Sequence, residues 1–227
     1  DYSGAREEFL RPTHPAPHPD PWGSSRVAAR YLSKQAETVG FHGYGMSPAQ
    51  MRLPGPQFTD AKPIPPADVA EAVEFLEADD PDHLVAYSRG GALAMLALRD
   101  LEGPKPKVTY VAPAWLRGWA RVTPPSTHGD ILHGDEDDKV PLAHSCQLSL
   151  QTGMPLHVVP GRNHVSILKE KMNPGAGKRV PSNQLRECVQ TLPDWGTGAS
   201  SREQVQEQVA FVEKLAHRVA SRHMKSP

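Results

Sequence analysis

The chain contains 227 residues, of which 38% are hydrophobic and 22% are charged, and its net charge at pH 7 is −1. This length can bury one sizeable core, and the near-neutral charge excludes the strongly basic surface that nucleic acids or anionic membranes require. No run of about 18 or more apolar residues is present, so the sequence predicts a soluble protein without a membrane-spanning helix.

The cysteine content and the start of the chain bear on the compartment. Cys146 and Cys188 are too few for a disulfide framework, and the sequence leaves open whether they pair. No signal-peptide pattern is present, which favours the cytoplasm, whereas a chain that begins at Asp1 is also consistent with release from a precursor. The oligomeric state is not determined by the sequence.

The first 23 residues differ in composition from the rest of the chain. They contain a series of closely spaced prolines: Pro12, Pro15, Pro17, Pro19 and Pro21. Because proline cannot continue a helix, residues 1–23 are predicted to form an extended arm. Residues 24–227 are predicted to form a single α/β domain, which begins with a short helix over residues 24–35 and a strand over residues 38–42.

Beyond residue 60 the spacing of apolar residues alternates between helical and strand patterns. The predicted helices cover residues 66–77 and 92–98, and the predicted strands cover residues 84–87, 108–112, 131–134 and 156–159. This alternation predicts an α/β fold with a mainly parallel sheet flanked by helices on both faces. Residues 169–200 predict an irregular surface excursion, which is followed by a last helix beginning at Ser201.

The strand over residues 84–87 leads directly to a serine. Ala86 lies two residues before Ser88, and Gly90 lies two residues after it. A strand that turns sharply into a helix needs small residues on both sides of the turn, and a serine at such a turn can act as a nucleophile. The same residues are also compatible with a strand, a turn and a buried helix that carry no chemistry.

Two later strands lead to an acidic loop and to a histidine. The strand that ends near His133 precedes Asp137, and the strand that ends at Val159 precedes His164. The separations along the chain leave room for at least one helix and one strand between successive candidates. The chain order Ser, Asp, His therefore predicts three candidates at the same end of parallel strands.

With these motifs the chain resembles the α/β-hydrolase superfamily over residues 38–168. The H-G-x-x-D-x-x-V-P element, His133–Pro141, is similar to the acid loop of that family and places the acid at Asp137. The G-x-x-H element that ends at His164 is similar to its histidine loop. The chain departs from the family pattern at Ala86, which replaces a glycine, and before residue 38, where the usual two opening strands do not fit.

The resemblance implies a serine hydrolase that needs no cofactor or metal and acts on a small-molecule ester or thioester. Ser88 would be the nucleophile, His164 the general base and Asp137 the residue that orients the histidine. The oxyanion hole would use the backbone N–H groups of Arg89 and Tyr44, because residues 42–45 resemble the H-G-x-G oxyanion loop. The connection from residue 114 to residue 129 is too short for a lid domain.

The alternatives at several positions remain open. A second alignment moves the oxyanion loop to residues 22–24, but the first is favoured because the second requires a core strand through a proline-rich segment. For the side chain of His42, a role as a buried structural histidine is favoured over a role in the site. Trp115 and Trp119 either line an acyl pocket or cover the edge of the sheet. Any of the acidic residues next to Asp137 can be considered for the acid, but the spacing of the motif selects Asp137.

Two further interpretations concern the histidines. His133 and His157 compete with His164 as the base, but His164 alone follows a strand and a Pro-Gly turn. A metal site is a different interpretation, with ligands His133, Asp135, Asp137 and His144. We favour the serine interpretation because the order Ser, Asp, His accounts for more of the sequence.

The alternative function is that of a hydrolase-like domain without catalysis, used for binding or as a structural module. The shortened start of the fold, the alanine at position 86 and the excursion over residues 169–200 favour it. The presence of all three candidate residues favours an enzyme instead. A peptidase or an acyltransferase is compatible with the same residues, since the fold does not determine the substrate.

Overall fold

Helices and strands alternate along residues 38–116 and 123–191, the parts of the chain that the computed structural model describes. All of these residues belong to one compact unit of the chain. The predicted arm over residues 1–23, the predicted helix over residues 24–35 and the predicted helix from Ser201 lie outside the described residues.

The strands form a single sheet of six strands. In chain order they are β1 (Thr38–Phe41), β2 (His83–Tyr87), β3 (Lys107–Val111), β4 (Gly129–Gly134), β5 (Leu156–Val159) and β6 (Lys178–Arg179). Each strand from β1 to β5 pairs in parallel with the next, and β6 pairs antiparallel with β5 at the edge. The prediction of an α/β fold with a mainly parallel sheet is confirmed.

Helices connect most of the strands, as a parallel sheet requires. The α-helices are α1 (Pro48–Met51), α2 (Pro66–Asp79), α3 (Arg89–Asp100), α4 (Leu142–Thr152) and α5 (Ser182–Val189). Two 3₁₀ helices, Ser166–Glu170 and Pro174–Ala176, follow β5. Within the described part of the chain, no helix has the length and apolar composition needed to cross a bilayer.

The sheet separates two hydrophobic clusters. On the first face, Leu84, Tyr110 and Ile131 belong to a cluster that includes buried residues of α2, α3, α4 and α5. On the second face, Val85 and Leu132 belong to a smaller cluster that includes residues of α1 and of the first 3₁₀ helix. Residues of both faces are buried in β2, which explains why residues 84–87 form a continuous apolar run instead of an alternating one.

The prediction of irregular structure over residues 169–200 is wrong for residues 178–179, which form β6, and for residues 182–189, which form α5. Leu185 and Cys188 of this helix are buried, so the segment belongs to the core and is not a surface excursion. The helix has only eight residues and carries few apolar side chains. A helix this short gives a weak periodic signal, and it depends on tertiary packing for its stability.

A disulfide joins α4 to α5. Cys146 and Cys188 form the bond, their Cα atoms are 6.2 Å apart, and 42 positions separate them in the sequence. Both residues are buried in the cluster of the first face. The crosslink therefore fixes the short helix α5 on α4.

Breaking this disulfide is expected to destabilise the protein. A crosslink that closes a loop of this length stabilises a fold by about 2–4 kcal/mol, so reduction should lower the melting temperature by roughly 5–15 °C. The measurement is thermal unfolding with and without reductant, with thiol alkylation and intact mass to show the redox state. The Cys146→Ser/Cys188→Ser variant is the control, because reductant should not change its melting temperature. An unchanged melting temperature in fully reduced wild-type protein would contradict the expectation.

Candidate active site

The predicted site residues lie in loops at the carboxyl edge of the sheet. Ser88 follows β2 directly, Asp137 lies in the loop after β4, and His164 lies in the loop after β5. Because these strands run in parallel, their carboxyl ends meet at one edge, where loops bring together residues that are distant in sequence.

The backbone at Ser88 is strained and is held on both sides. Its φ of 52° and ψ of −118° lie in a region that residues with a side chain rarely adopt. The Ser88 N–H donates to the Val111 carbonyl, and the Ser88 carbonyl accepts from the N–H groups of Gly91 and Ala114, each at 3.0 Å. These bonds fix the turn between β2 and α3.

The small residues around Ser88 are required by close packing. A β-carbon at Gly90 would clash with the backbone carbonyls of Phe41 and His42 at the end of β1. Ala86 is fully buried in the cluster of the first face, which accommodates its methyl group. The helix α3 begins at Arg89, three residues earlier than its predicted start, so its amino end lies next to Ser88.

A chain of hydrogen bonds connects the three predicted catalytic residues. The Ser88 Oγ lies 3.0 Å from Nε2 of His164. The Nδ1 of the same imidazole lies 2.7 Å from Oδ2 of Asp137. A neutral imidazole that donates from Nδ1 to the carboxylate presents an unprotonated Nε2 to the serine hydroxyl, which is the arrangement a general base needs.

The surroundings of Asp137 favour its ionised form. Burial opposes ionisation, but the hydrogen bond from His164, the electrostatic interactions with the imidazoles of His133 and His164 and the hydrogen bond from the Val140 N–H together hold the pKa of Asp137 below its usual value. Its Oδ1 accepts from the N–H groups of Lys139 and Val140, each at 2.9 Å. Asp137 is therefore a fixed carboxylate with both oxygens hydrogen-bonded.

The other two aspartates of the acid loop have different partners. Asp135 accepts from the Gly161 N–H at 2.7 Å, which connects the acid loop to the histidine loop. Asp138 forms an exposed ion pair with Lys139 at 3.1 Å. Of these three carboxylates, Asp137 is the one that contacts His164.

His133 is fully buried next to Asp137, and its two ring nitrogens bind partners other than Ser88. Its Nδ1 accepts from the Ser145 hydroxyl at 2.7 Å, and its Nε2–H donates to the Val140 carbonyl at 2.9 Å. The same Nε2 is 3.4 Å from Oδ2 of Asp137. Burial lowers the pKa of His133, which keeps it neutral. The sequence makes His133 a rival for the base but does not reveal this contact with the acid.

The loop after β1 passes directly against Ser88. A β-carbon placed on Gly43 would lie 3.1 Å from the Cβ of Ser88. His42 is buried, its Nε2 accepts from the Phe58 N–H at 3.0 Å, and its Nδ1–H donates to the Gly43 carbonyl at 2.9 Å. The Tyr44 side chain is 63% exposed. The alternative oxyanion loop over residues 22–24 lies outside the described residues.

The side chain of Arg89 points away from the catalytic residues into a buried ion pair. Its Nη2 lies 2.9 Å from Oδ2 of Asp68 and 3.1 Å from the Ala61 carbonyl, and the guanidinium is 1% exposed. This pair connects α2 to the residue after the nucleophile. The signal for this pair in the sequence is that Asp68 shares the apolar face of α2 with Ala72 and Leu76, where an unpaired carboxylate would be costly.

Of the two tryptophans predicted to line a pocket, the structure describes Trp115. Trp115 is buried in the cluster of the first face, and its indole N–H donates to the His144 carbonyl at 3.1 Å. Trp119 lies outside the described residues. Trp115 thus packs in the core, and its role as a wall of an acyl pocket stays a prediction.

The candidate metal ligands have other surroundings. Over residues 38–116 and 123–191, no group of three or more histidine, cysteine, aspartate or glutamate side chains is arranged to hold a metal ion. His144 is buried in α4, and His157 of β5 pairs with Asp130 at 3.2 Å.

Comparisons with known proteins do not assign the chain to a family. It matches no protein-family model and no curated protein. A function has to be inferred from the geometry of the site.

Proposed function

We propose that the protein is a serine hydrolase of the α/β-hydrolase type that cleaves esters or thioesters of small molecules through an acyl-enzyme. The observation that carries this proposal is the chain of hydrogen bonds from Ser88 through His164 to the buried carboxylate of Asp137. Such an arrangement activates a hydroxyl that is otherwise a weak nucleophile.

In the first step, Ser88 Oγ attacks the substrate carbonyl carbon and its proton moves to Nε2 of His164. The tetrahedral intermediate collapses, and His164 returns that proton to the leaving alcohol or thiol, which leaves an acyl group on Ser88. Water then repeats the sequence, with His164 as its base, and releases the acid. Asp137 stabilises the imidazolium and fixes the tautomer of His164.

The oxyanion of each intermediate would be bound by two backbone N–H groups. The Arg89 N–H lies at the amino end of α3, where the helix dipole favours negative charge. The second would be the Tyr44 N–H. His42 binds the Gly43 carbonyl, and in a trans peptide the Tyr44 N–H points to the opposite side from that carbonyl.

A domain without catalysis is the alternative function. The strained φ of Ser88 argues against it, because such a conformation costs about 1–3 kcal/mol and is maintained mainly at functional sites. The buried Asp137 carboxylate argues in the same direction, since a structural domain has no need for an ionised group beside Ser88 and His164.

The proposal is tested by turnover of p-nitrophenyl butyrate by the purified protein. We expect release of p-nitrophenolate in a burst of one equivalent per site when deacylation is slow, followed by a steady rate. Preparations of wild type that fold but give neither a burst nor a steady rate would instead support the alternative without catalysis.

A second expectation concerns how the rate depends on the length of the acyl chain, and it follows from the short connection between residues 114 and 129. Without an inserted lid domain, we expect butyrate esters to react faster than palmitate esters, and rates to rise smoothly with substrate concentration. The measurement is a rate series that crosses the micellar concentration of each ester. A sharp increase above that concentration would contradict the expectation and indicate a lid.

The disulfide between Cys146 and Cys188 favours an oxidising compartment as the place where this activity operates. Disulfides persist in such compartments and are rare in the cytosol. This proposal replaces the cytoplasmic location that the sequence favours. Blocking free thiols during extraction from the producing cells, followed by mass analysis, tests it, and two blocked cysteines would contradict it.

A further inference from the structure

Tyr87, the last residue of β2, contacts the histidine loop. Its hydroxyl donates a hydrogen bond to the backbone carbonyl of His164 at 2.7 Å. Its ring packs against the imidazole of the same residue, with centroids 5.1 Å apart and an angle of 34° between the ring planes. Through Tyr87, strand β2 therefore contacts both the backbone carbonyl and the imidazole ring of His164.

The same ring also contacts the loop after β1. A β-carbon on Gly43 would lie 2.9 Å from both Cδ1 and Cε1 of Tyr87, so the ring occupies the space beside this glycine. Tyr87 is buried, and it precedes Ser88 directly in the chain. One rigid side chain therefore contacts two of the loops that meet at the nucleophile.

The Tyr87 hydroxyl keeps its proton over the pH range in which enzymes work. Burial and the negative charge of Asp137 both raise the pKa of this phenol well above its usual value. The hydroxyl is therefore a permanent donor to the His164 carbonyl.

The other contacts of the histidine loop connect it to different elements. Gly161 donates to Asp135 at 2.7 Å, and the Glu136 N–H donates to the Arg162 carbonyl at 3.0 Å, so both bonds fix the loop to the acid loop. The Asn163 side chain accepts from the N–H groups of Val165 and Ser166 and closes a local turn. The bond from Tyr87 connects His164 to the strand that carries Ser88.

We propose that Tyr87 is a positioning residue that keeps Nε2 of His164 within hydrogen-bonding distance of Ser88 Oγ. This inference rests on the proposed function. Without the hydroxyl, the His164 carbonyl loses its bond to β2, and the imidazole can shift relative to the serine. Because a displacement of about 1 Å at a reacting group can cost about 100-fold in rate, the effect should be large.

The test compares Tyr87→Phe with Tyr110→Phe. Both variants remove one phenolic hydroxyl from a buried tyrosine, but Tyr110 lies on β3 in the cluster of the first face. We expect Tyr87→Phe to lower kcat by about 10- to 100-fold with KM changed less than about twofold, and Tyr110→Phe to keep kcat within about twofold. Rates are normalised to the folded fraction measured by circular dichroism, so that a loss of stability alone does not lower the reported kcat.

A second readout does not depend on turnover. The imidazole N–H proton of His164 that faces Asp137 is followed by ¹H NMR in both variants and in the wild type. We expect faster exchange with water, and a broader signal, in Tyr87→Phe alone. Wild-type kcat in Tyr87→Phe would overturn the inference. If the wild type has no turnover, the proposed function fails, and the NMR signal alone then decides: a broadened signal supports positioning and an unchanged one overturns it.

Discussion

Ser88→Ala is expected to lower kcat for p-nitrophenyl butyrate by about 10⁶-fold, because removing the nucleophile of a serine triad has an effect of this size. His164 and Asp137 remain in the variant, but they have no hydroxyl to activate. The side chain of alanine is smaller than that of serine and fits the same space, so the fold and the melting temperature should be retained. Steady-state kinetics and thermal unfolding measure both quantities.

Ser149→Ala is the matched control for this variant. Ser149 is a buried serine of α4 whose hydroxyl donates to the Met154 carbonyl at 2.6 Å, on the side of the molecule that carries the disulfide. Its replacement removes one buried hydroxyl and should leave kcat within about twofold of wild type. A Ser88→Ala variant that retains more than about a tenth of the wild-type rate would contradict the assignment of Ser88 as the nucleophile.

Asp137→Asn is expected to lower kcat by about 10³- to 10⁴-fold through the wrong tautomer of His164. The Lys139 and Val140 N–H groups require an acceptor at Oδ1, so the amide oxygen occupies that position. The NH₂ group then faces His164 and donates to Nδ1, which forces the imidazole proton onto Nε2. An Nε2 that carries a proton cannot accept the proton of Ser88.

Asp138→Asn is the control for the acid. Asp138 is exposed and pairs with Lys139, so its replacement should leave kcat within about twofold of wild type. Parallel kinetics on the two variants check the register of the acid loop. If Asp138→Asn were the variant with the large loss, the placement of Asp137 against His164 would be wrong.

The parallel strands β1 to β5 were the most predictable part of the fold. β2 is buried on both faces over residues 84–87, and such a strand has a continuous apolar sequence with clear ends. The start of α3 was predicted three residues late, because Gly90 and Gly91 disfavour a helix interior in isolation. Close approach of β1 requires the glycine at position 90, and that requirement is visible only in three dimensions.

The order of the candidate residues was predictable from local patterns, since each of them follows a strand. The contacts that hold these residues in position were not predictable from local patterns. Tyr87 and His164 are 77 positions apart, and Arg89 and Asp68 are 21 positions apart, so a local pattern carries no information about either pair. The disulfide between Cys146 and Cys188 was not predictable for the same reason, because two cysteines alone do not reveal whether they meet.

The central claim is that Ser88 is an activated nucleophile, and covalent labelling tests it most directly. A fluorophosphonate probe reacts when a serine oxygen displaces fluoride from phosphorus, so each labelled chain gains the mass of the probe minus HF. We expect one adduct per native chain, located at Ser88 by peptide mass analysis, and none in Ser88→Ala or in heat-unfolded protein. A native protein that takes up no probe, or an adduct that persists in Ser88→Ala, would contradict the claim.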